Sequence, residues 1–346
     1  MHRANPARTG VFVTEGLSNY ESIKWQFQAG DWVFGAPAVS GDAVYFTSYD
    51  GSAYAVDRET GAELWRFETG DTVIASAAVA DGLVFIGNMS GSIIALNADS
   101  GELAWRVETG SGFSGSPAVV GDNVYFTAEN GLLLALDSAS GDEKWRFQQP
   151  DSSISFSPAV ADGVVYVPVS DGILRALDAE TGEVLWSYDP NTTLKTYSPT
   201  ADPVVADGVV YFMTNDNGLL GVLHAVDLET HQSRWEYTTP QENFSAPAVS
   251  EGVLIWGSLD NNLYAVSAAD GALLWTFPTD NIIFSATAIA GDTAYFGSTD
   301  KNLYALDVQS GQQRWQFRAG SGVSSPAIAD GVVYVGTQDG ILYALQ

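Results

Sequence analysis

The sequence contains no cysteine, which excludes disulfides, thiolate nucleophiles and thiolate metal sites. Basic residues are scarce: 14 Lys and Arg stand against 42 Asp and Glu, a formal charge of −28 that makes nucleic acid and anionic membrane poor partners. The only histidines are His2, His224 and His231, in an N-terminal stretch, a strand and a turn, so neither a histidine metal site nor a Ser-His-Asp arrangement is indicated. No apolar run approaches the roughly 18 residues of a membrane span, and residues 1–19 lack the apolar core of a secretory signal. The start is therefore expected to be that of a mature or excised domain, or of a cytoplasmic chain. Absence of cysteine suits an oxidising compartment, so a periplasmic or secreted location is expected, with the cytoplasm left open. There is no Walker-type or dinucleotide glycine loop, and Asn215-Asp216-Asn217-Gly218 lacks the downstream acid of a calcium loop. Paired carboxylates for hydrolysis stay open, because turns bring acids together in ways a linear sequence hides.

What the chain has in abundance is repetition. Residues 55–65 read A-V-D-R-E-T-G-A-E-L-W, and the stretch returns at 95–105, 135–145, 176–186, 225–235, 265–275 and 305–315. An eighth copy begins at Ala344, two residues before the end, and its missing tryptophan is supplied by Trp25. Trp25, Trp65, Trp105, Trp145, Trp186, Trp235, Trp275 and Trp315 are separated by 40, 40, 40, 41, 49, 40 and 40 residues. Such a period marks units that cannot bury their apolar faces alone. Each unit is all strand: four short β-rich runs are divided by turn signals such as Gly41-Asp42, Asp50-Gly51 and Thr60-Gly61. Four antiparallel strands in about 40 residues make a propeller blade.

The expected fold is thus all-β, an eight-bladed β-propeller of four-stranded antiparallel blades. The last blade joins residues 322–346 to residues 20–30, closing the ring by pairing the N-terminal strand with the three C-terminal strands and hiding open edges. Residues 1–19 read as an arm that Arg3 and Arg8 anchor to the acidic body, and 20–346 as one domain, expected to be monomeric. The eight tryptophans are structural, each wedged beside a small Ala and a turn Gly of a neighbouring repeat. Much of the acid is turn chemistry: Asp42, Asp81, Asp122, Asp162, Asp207, Glu251, Asp292 and Asp330 all fall in one hairpin turn.

Departures from the repeat point to a working face. Connections between blades gather at one end of a propeller's channel, where ligands usually bind. They carry Trp32, Phe34, Ile74, Phe113, Phe156, Tyr197, Phe244 and Phe284, an aromatic rim suited to a flat ligand or a peptide, or alternatively a hydrophobic plug. The longest interval contains two insertions, one with Lys195 and Tyr197, the other around Asn217 to Leu223. Asp202 stands where other repeats have Ala or Ser, and Glu242 where the first has Trp32. Trp32, Phe34, Lys195, Tyr197, Asp202, Glu242 and Phe244 are the candidate ligand or partner contacts; no catalytic or metal-ligating residue is assigned. Arg175 and His224 replace a recurrent strand Tyr in the fourth and fifth blades and are expected to form a structural polar patch.

The pattern A-x-D-x-x-T-G-x-x-x-W closely resembles the tryptophan-docking motif of the pyrroloquinoline quinone (PQQ)-like β-propeller repeat family, over nearly the whole chain. That family includes quinoprotein alcohol dehydrogenases, the non-catalytic lipoprotein of the bacterial outer-membrane assembly machinery, and sensor domains. The resemblance to the assembly branch implies a scaffold that presents its channel mouth to a protein, peptide or small molecule, without a cofactor. The dehydrogenase branch implies PQQ over a tryptophan floor, under a disulfide between adjacent cysteines, beside calcium held by Glu, Asn and Asp. This chain has no cysteine for such a lid. A sensor domain of a larger receptor is a third implication.

Overall fold

The computed structural model describes residues 4–191, 197–216 and 219–346. Among them there is no helix; eight sheets are arranged in a ring. The first blade shows the recurring unit: strands Ala38–Ser40, Ala43–Thr47, Ser52–Asp57 and Glu63–Glu68 pair in order, antiparallel. Blades 2, 3, 4 and 6 repeat this within residues 78–108, 118–148, 159–188 and 248–278. The two central strands are buried on both faces, as the run Ala43–Thr47 shows, whereas the outermost alternates exposed and covered positions. Continuous Val, Tyr, Phe and Ala runs suit the inner strands because each is sandwiched between neighbouring blades.

Ring closure is as expected. Ile23–Gln28 pairs antiparallel with Ile341–Leu345, Trp25 opposite Ala344, and completes the eighth blade. The eight innermost strands touch their neighbours in an unbroken circle. Turns between the first two strands of each blade are tight; at Asp81 and Gly82 both residues have positive φ, 49° and 74°, the geometry of a two-residue type I′ hairpin.

Indoles lock adjacent blades. Trp65 is buried; its Nε1 donates to the Ala98 carbonyl at 2.8 Å and its ring lies against Gly101. Gly101 has φ of 69°, and a Cβ there would sit 2.7 Å from the indole. The same carbonyl contact recurs from Trp25, Trp105, Trp145, Trp235 and Trp275. Trp315 instead donates to Leu17 at 2.8 Å, so residues preceding the first blade serve as the next repeat's turn. Trp186 departs from the pattern: the glycine position holds His231, whose imidazole stacks on the indole at 4.5 Å and 16°.

In the fifth blade the two insertions meet. Strands Val209–Asp216 and Leu220–Asp227 extend beyond the repeat length, and Tyr197–Pro199 pairs antiparallel with the extension, adding a fifth strand. The polar replacements are satisfied within their own blades. Arg175 binds Asp171, as the tyrosines at 54, 264 and 304 bind Asp50, Asp260 and Asp300. Buried His224 contacts Thr214 at 2.8 Å and Glu236 at 3.0 Å.

Residues 4–17 enter the channel. Carbonyls of Pro6, Ala7, Thr9 and Gly10 accept the free inner-strand amides of Val160, Val205, Val249 and Ile289, one blade after another. Val11–Phe12 then pairs parallel with Ala288–Ala290, giving the seventh blade (288–318) a fifth strand. Thr14 Oγ1 and the Glu15 carbonyl accept the amides of Asp330 and Gly331 in the eighth blade.

Candidate functional site: a cup at the channel mouth

The connections entering the inner strands surround a cavity of about 480 Å³. Its upper wall is apolar: Phe34, Ile74, Phe156, Phe244 and Phe284. Phe244 and Phe284 are 39 % and 38 % exposed and lie 6.0 Å apart, so neither is consumed by core packing.

Below them runs a collar at the position just before each inner strand. Ser76 N–H donates to Ser116 Oγ at 3.0 Å, Ser116 N–H to Ser157 Oγ at 2.8 Å, and Ser157 N–H to Asp202 Oδ1 at 2.8 Å. Asp202 is the third acceptor in this relay, which explains why an acid is accommodated in a series of small hydroxyls. Ala286 N–H and Ser325 Oγ make the equivalent contact at 2.9 Å across the ring. Thr200 Oγ1 also lines the cavity and has no hydrogen-bond partner among the described residues.

The arm meets the collar through Arg8. Arg8 is fully buried; Nε donates to Pro158 O at 2.6 Å, Nη2 to Ser116 O at 2.7 Å, and Nη1 lies 3.7 Å from Asp202 Oδ2. Burial pushes its guanidinium down to about 10, against the opposing pull of Asp202. Arg8 therefore ties the arm to the collar at Ser116 and Asp202.

Of the expected contacts, Phe34, Asp202 and Phe244 line the cup. Trp32 lines a small adjoining cavity and packs on Phe34 and Tyr49 at 5.0 and 5.1 Å; its Nε1 is covered and has no hydrogen-bond partner. Tyr197 is elsewhere, buried edge-on against His224 at 5.4 Å. Glu242 accepts from Asn215 Nδ2 at 2.5 Å, above the fifth blade. Lys195 lies outside the described residues. Phe113 is fully buried against Phe126. Arg8, Thr200, Glu129 and the serine collar were not among the expected contacts. The collar's signal was the small residue repeated before proline, as in Ala36-Pro37, Ser116-Pro117 and Ser157-Pro158.

Among the described residues, the lining contains no Trp and no Asn, and its only acids are Glu129 and Asp202. Those residues do not fit the tryptophan floor and Glu-Asn-Asp calcium set of a PQQ site. Among the described residues, no group of three or more His, Asp or Glu is placed to hold a metal ion.

The fold and its blade-locking tryptophans define a PQQ-type repeat propeller. The chain belongs to the family described as outer membrane protein assembly factor BamB, whose model matches residues 18–77, 50–222 and 220–345. Its fold resembles BamB from Moraxella catarrhalis, at 20 % identity and a TM-score of 0.78, covering 94 % of this chain and 99 % of that one. A europium-containing methanol dehydrogenase aligns at 16 % identity and a TM-score of 0.82, covering 97 % of this chain and 88 % of that one. The quinohemoprotein alcohol dehydrogenase from Comamonas testosteroni aligns at 14 % identity and 0.82, covering 99 % and 79 %. No curated protein matches by sequence.

Proposed function

We propose that this protein is a non-catalytic binding scaffold that receives a protein, peptide or small ligand at the channel mouth. The observation that carries this is the cup: half-exposed phenylalanines stand over a hydrogen-bonded collar whose acid is engaged by Arg8. Phe244 and Phe284 are 39 % and 38 % exposed, so covering the remainder of each contributes about 1 kcal/mol to an association. The dehydrogenase alternative needs a cofactor set that the lining does not offer. On this reading residues 20–346 are the propeller, residues 1–19 its arm, and the protein acts as a monomer outside the cytoplasm, in keeping with the assembly-factor family.

The test places a photo-crosslinking amino acid at Phe244 and, as a control, at Leu103 on an outer strand. Discrete adducts from position 244 alone support the reading; equal labelling from both positions refutes it. Dye-linked alcohol oxidation after adding PQQ and Ca²⁺ would transfer the chain to the enzyme branch.

A further inference from the structure

The arm uses only part of the channel wall. In blades 4 to 7 the amide at the centre of each inner strand faces the channel and donates to an arm carbonyl. The equivalent residues of blades 1 to 3 are Val39, Val79 and Val119, which hold the same register to their second strands. Among the described residues, nothing accepts their amides. An open inner edge is a template for an extended chain, because each unpaired donor gains a partner when a carbonyl arrives.

Two features identify the occupant. First, valines border the lower opening: Val39 and Val79 are half-buried, Val13 of the arm is fully exposed, and a cavity of about 320 Å³ with a mixed polar and apolar lining lies between the arm and Val39, Ile328, Ala329 and Asp330. Second, it is acidic. The exposed turn residues Asp42, Asp81 and Asp122 border those three strands, and their carboxylates have no cation within ion-pair distance among the described residues. The arm, which occupies the rest of the wall, turns at residues 5–8 and carries Arg8.

We infer that the lower opening, on the face opposite the cup, is a second docking surface, which takes an extended, Lys- or Arg-bearing segment of another polypeptide. The segment runs along the inner strands of blades 1 to 3, its carbonyls accepting from the amides of Val39, Val79 and Val119, and sets its cations among Asp42, Asp81 and Asp122. This surface is independent of the mouth, and either can fail without the other.

The probe is a fluorescent decapeptide of the arm's own sequence, R-A-N-P-A-R-T-G-V-F, titrated against the full chain by anisotropy. Saturable binding that weakens with added salt is expected, and a peptide with both arginines changed to glutamate is expected not to bind. Val79→Pro removes the channel-facing donor but no ladder bond, and is expected to weaken binding about fivefold, one backbone hydrogen bond's worth. The pair Asp81→Asn and Asp122→Asn tests the charge without touching the backbone and should weaken binding by a similar factor. Absence of binding by the basic peptide, or equal binding by the glutamate peptide, overturns the inference. So does binding lost in Val205→Pro but retained in Val79→Pro, which would mean exchange with the arm, or a concentration-dependent dimer that the peptide dissolves.

Discussion

Replacing Arg8 by methionine tests whether the arm is integral to the ring. The substitution keeps length and apolar volume but removes donors to Pro158 O and Ser116 O and the charge facing Asp202. A hydrogen bond from a charged donor is worth about 1.5–3 kcal/mol, so the two together represent about 3–6 kcal/mol. Against this stands the cost of holding a cation away from water, visible in the downward displacement of its titration to about 10. Removing one member of a buried pair usually costs about 3–5 kcal/mol; because Asp202 keeps the Ser157 amide, the expected loss is at the lower end, about 3 kcal/mol. Arg8 sits at a positive φ of 58° in either case, so backbone strain cancels between the two proteins. Urea unfolding reads the global loss. Amide exchange at Val205 and Val249, which receive arm carbonyls, reads the local one. Arg8→Lys, with the charge but not the fork, should fall between. A loss below about 1 kcal/mol with unchanged exchange at both amides would refute the reasoning and reduce the arm to a passive tail.

Gly101→Ala drives a Cβ to 2.7 Å from the Trp65 ring at a positive φ, and should cost about 2–4 kcal/mol in thermal or chemical unfolding. His231→Ala, which loses only the stack on Trp186, should cost about 0.5–1.5 kcal/mol; the reverse order would show that the indoles do not depend on close backbone approach. Asp307 is held down to about 2 from a reference of 3.8, chiefly by the Arg314 hydrogen bond and then by Ser310. A depressed carboxylate stabilises the fold above its unfolded value and loses that contribution as pH falls, here between about 4 and 2. Unfolding midpoints followed across that window should therefore fall less steeply in Asp307→Asn than in the parent.

The architecture was legible because the indole spacing is a direct image of blade spacing, and because the split repeat at the two termini admits one closure, Trp25 beside Ala344. The mouth was legible only in part. Phe113 looked like a rim residue, yet it occupies the position of Val33 and Ile283, and a shift of one place along an extended backbone turns a side chain from cavity to core. Tyr197 belongs to a strand that exists only because two insertions pair, which a linear reading does not show. Asp202 stood out as an anomalous acid, but its cation comes from Arg8, 194 positions earlier and on no repeat. No periodicity can report a contact made once.

The composite eighth blade also constrains how the molecule is made. Apart from the arm's Val11–Phe12, strand Ile23–Gln28 precedes all the other strands of the ring's blades, while its partner Ile341–Leu345 follows them. Until then the nascent N-terminus has neither its sheet nor the inner wall along which residues 4–17 lie. Seven blades can assemble progressively, but sealing the circle waits until residues 341–345 have been made, and residues 4–28 find their places only then.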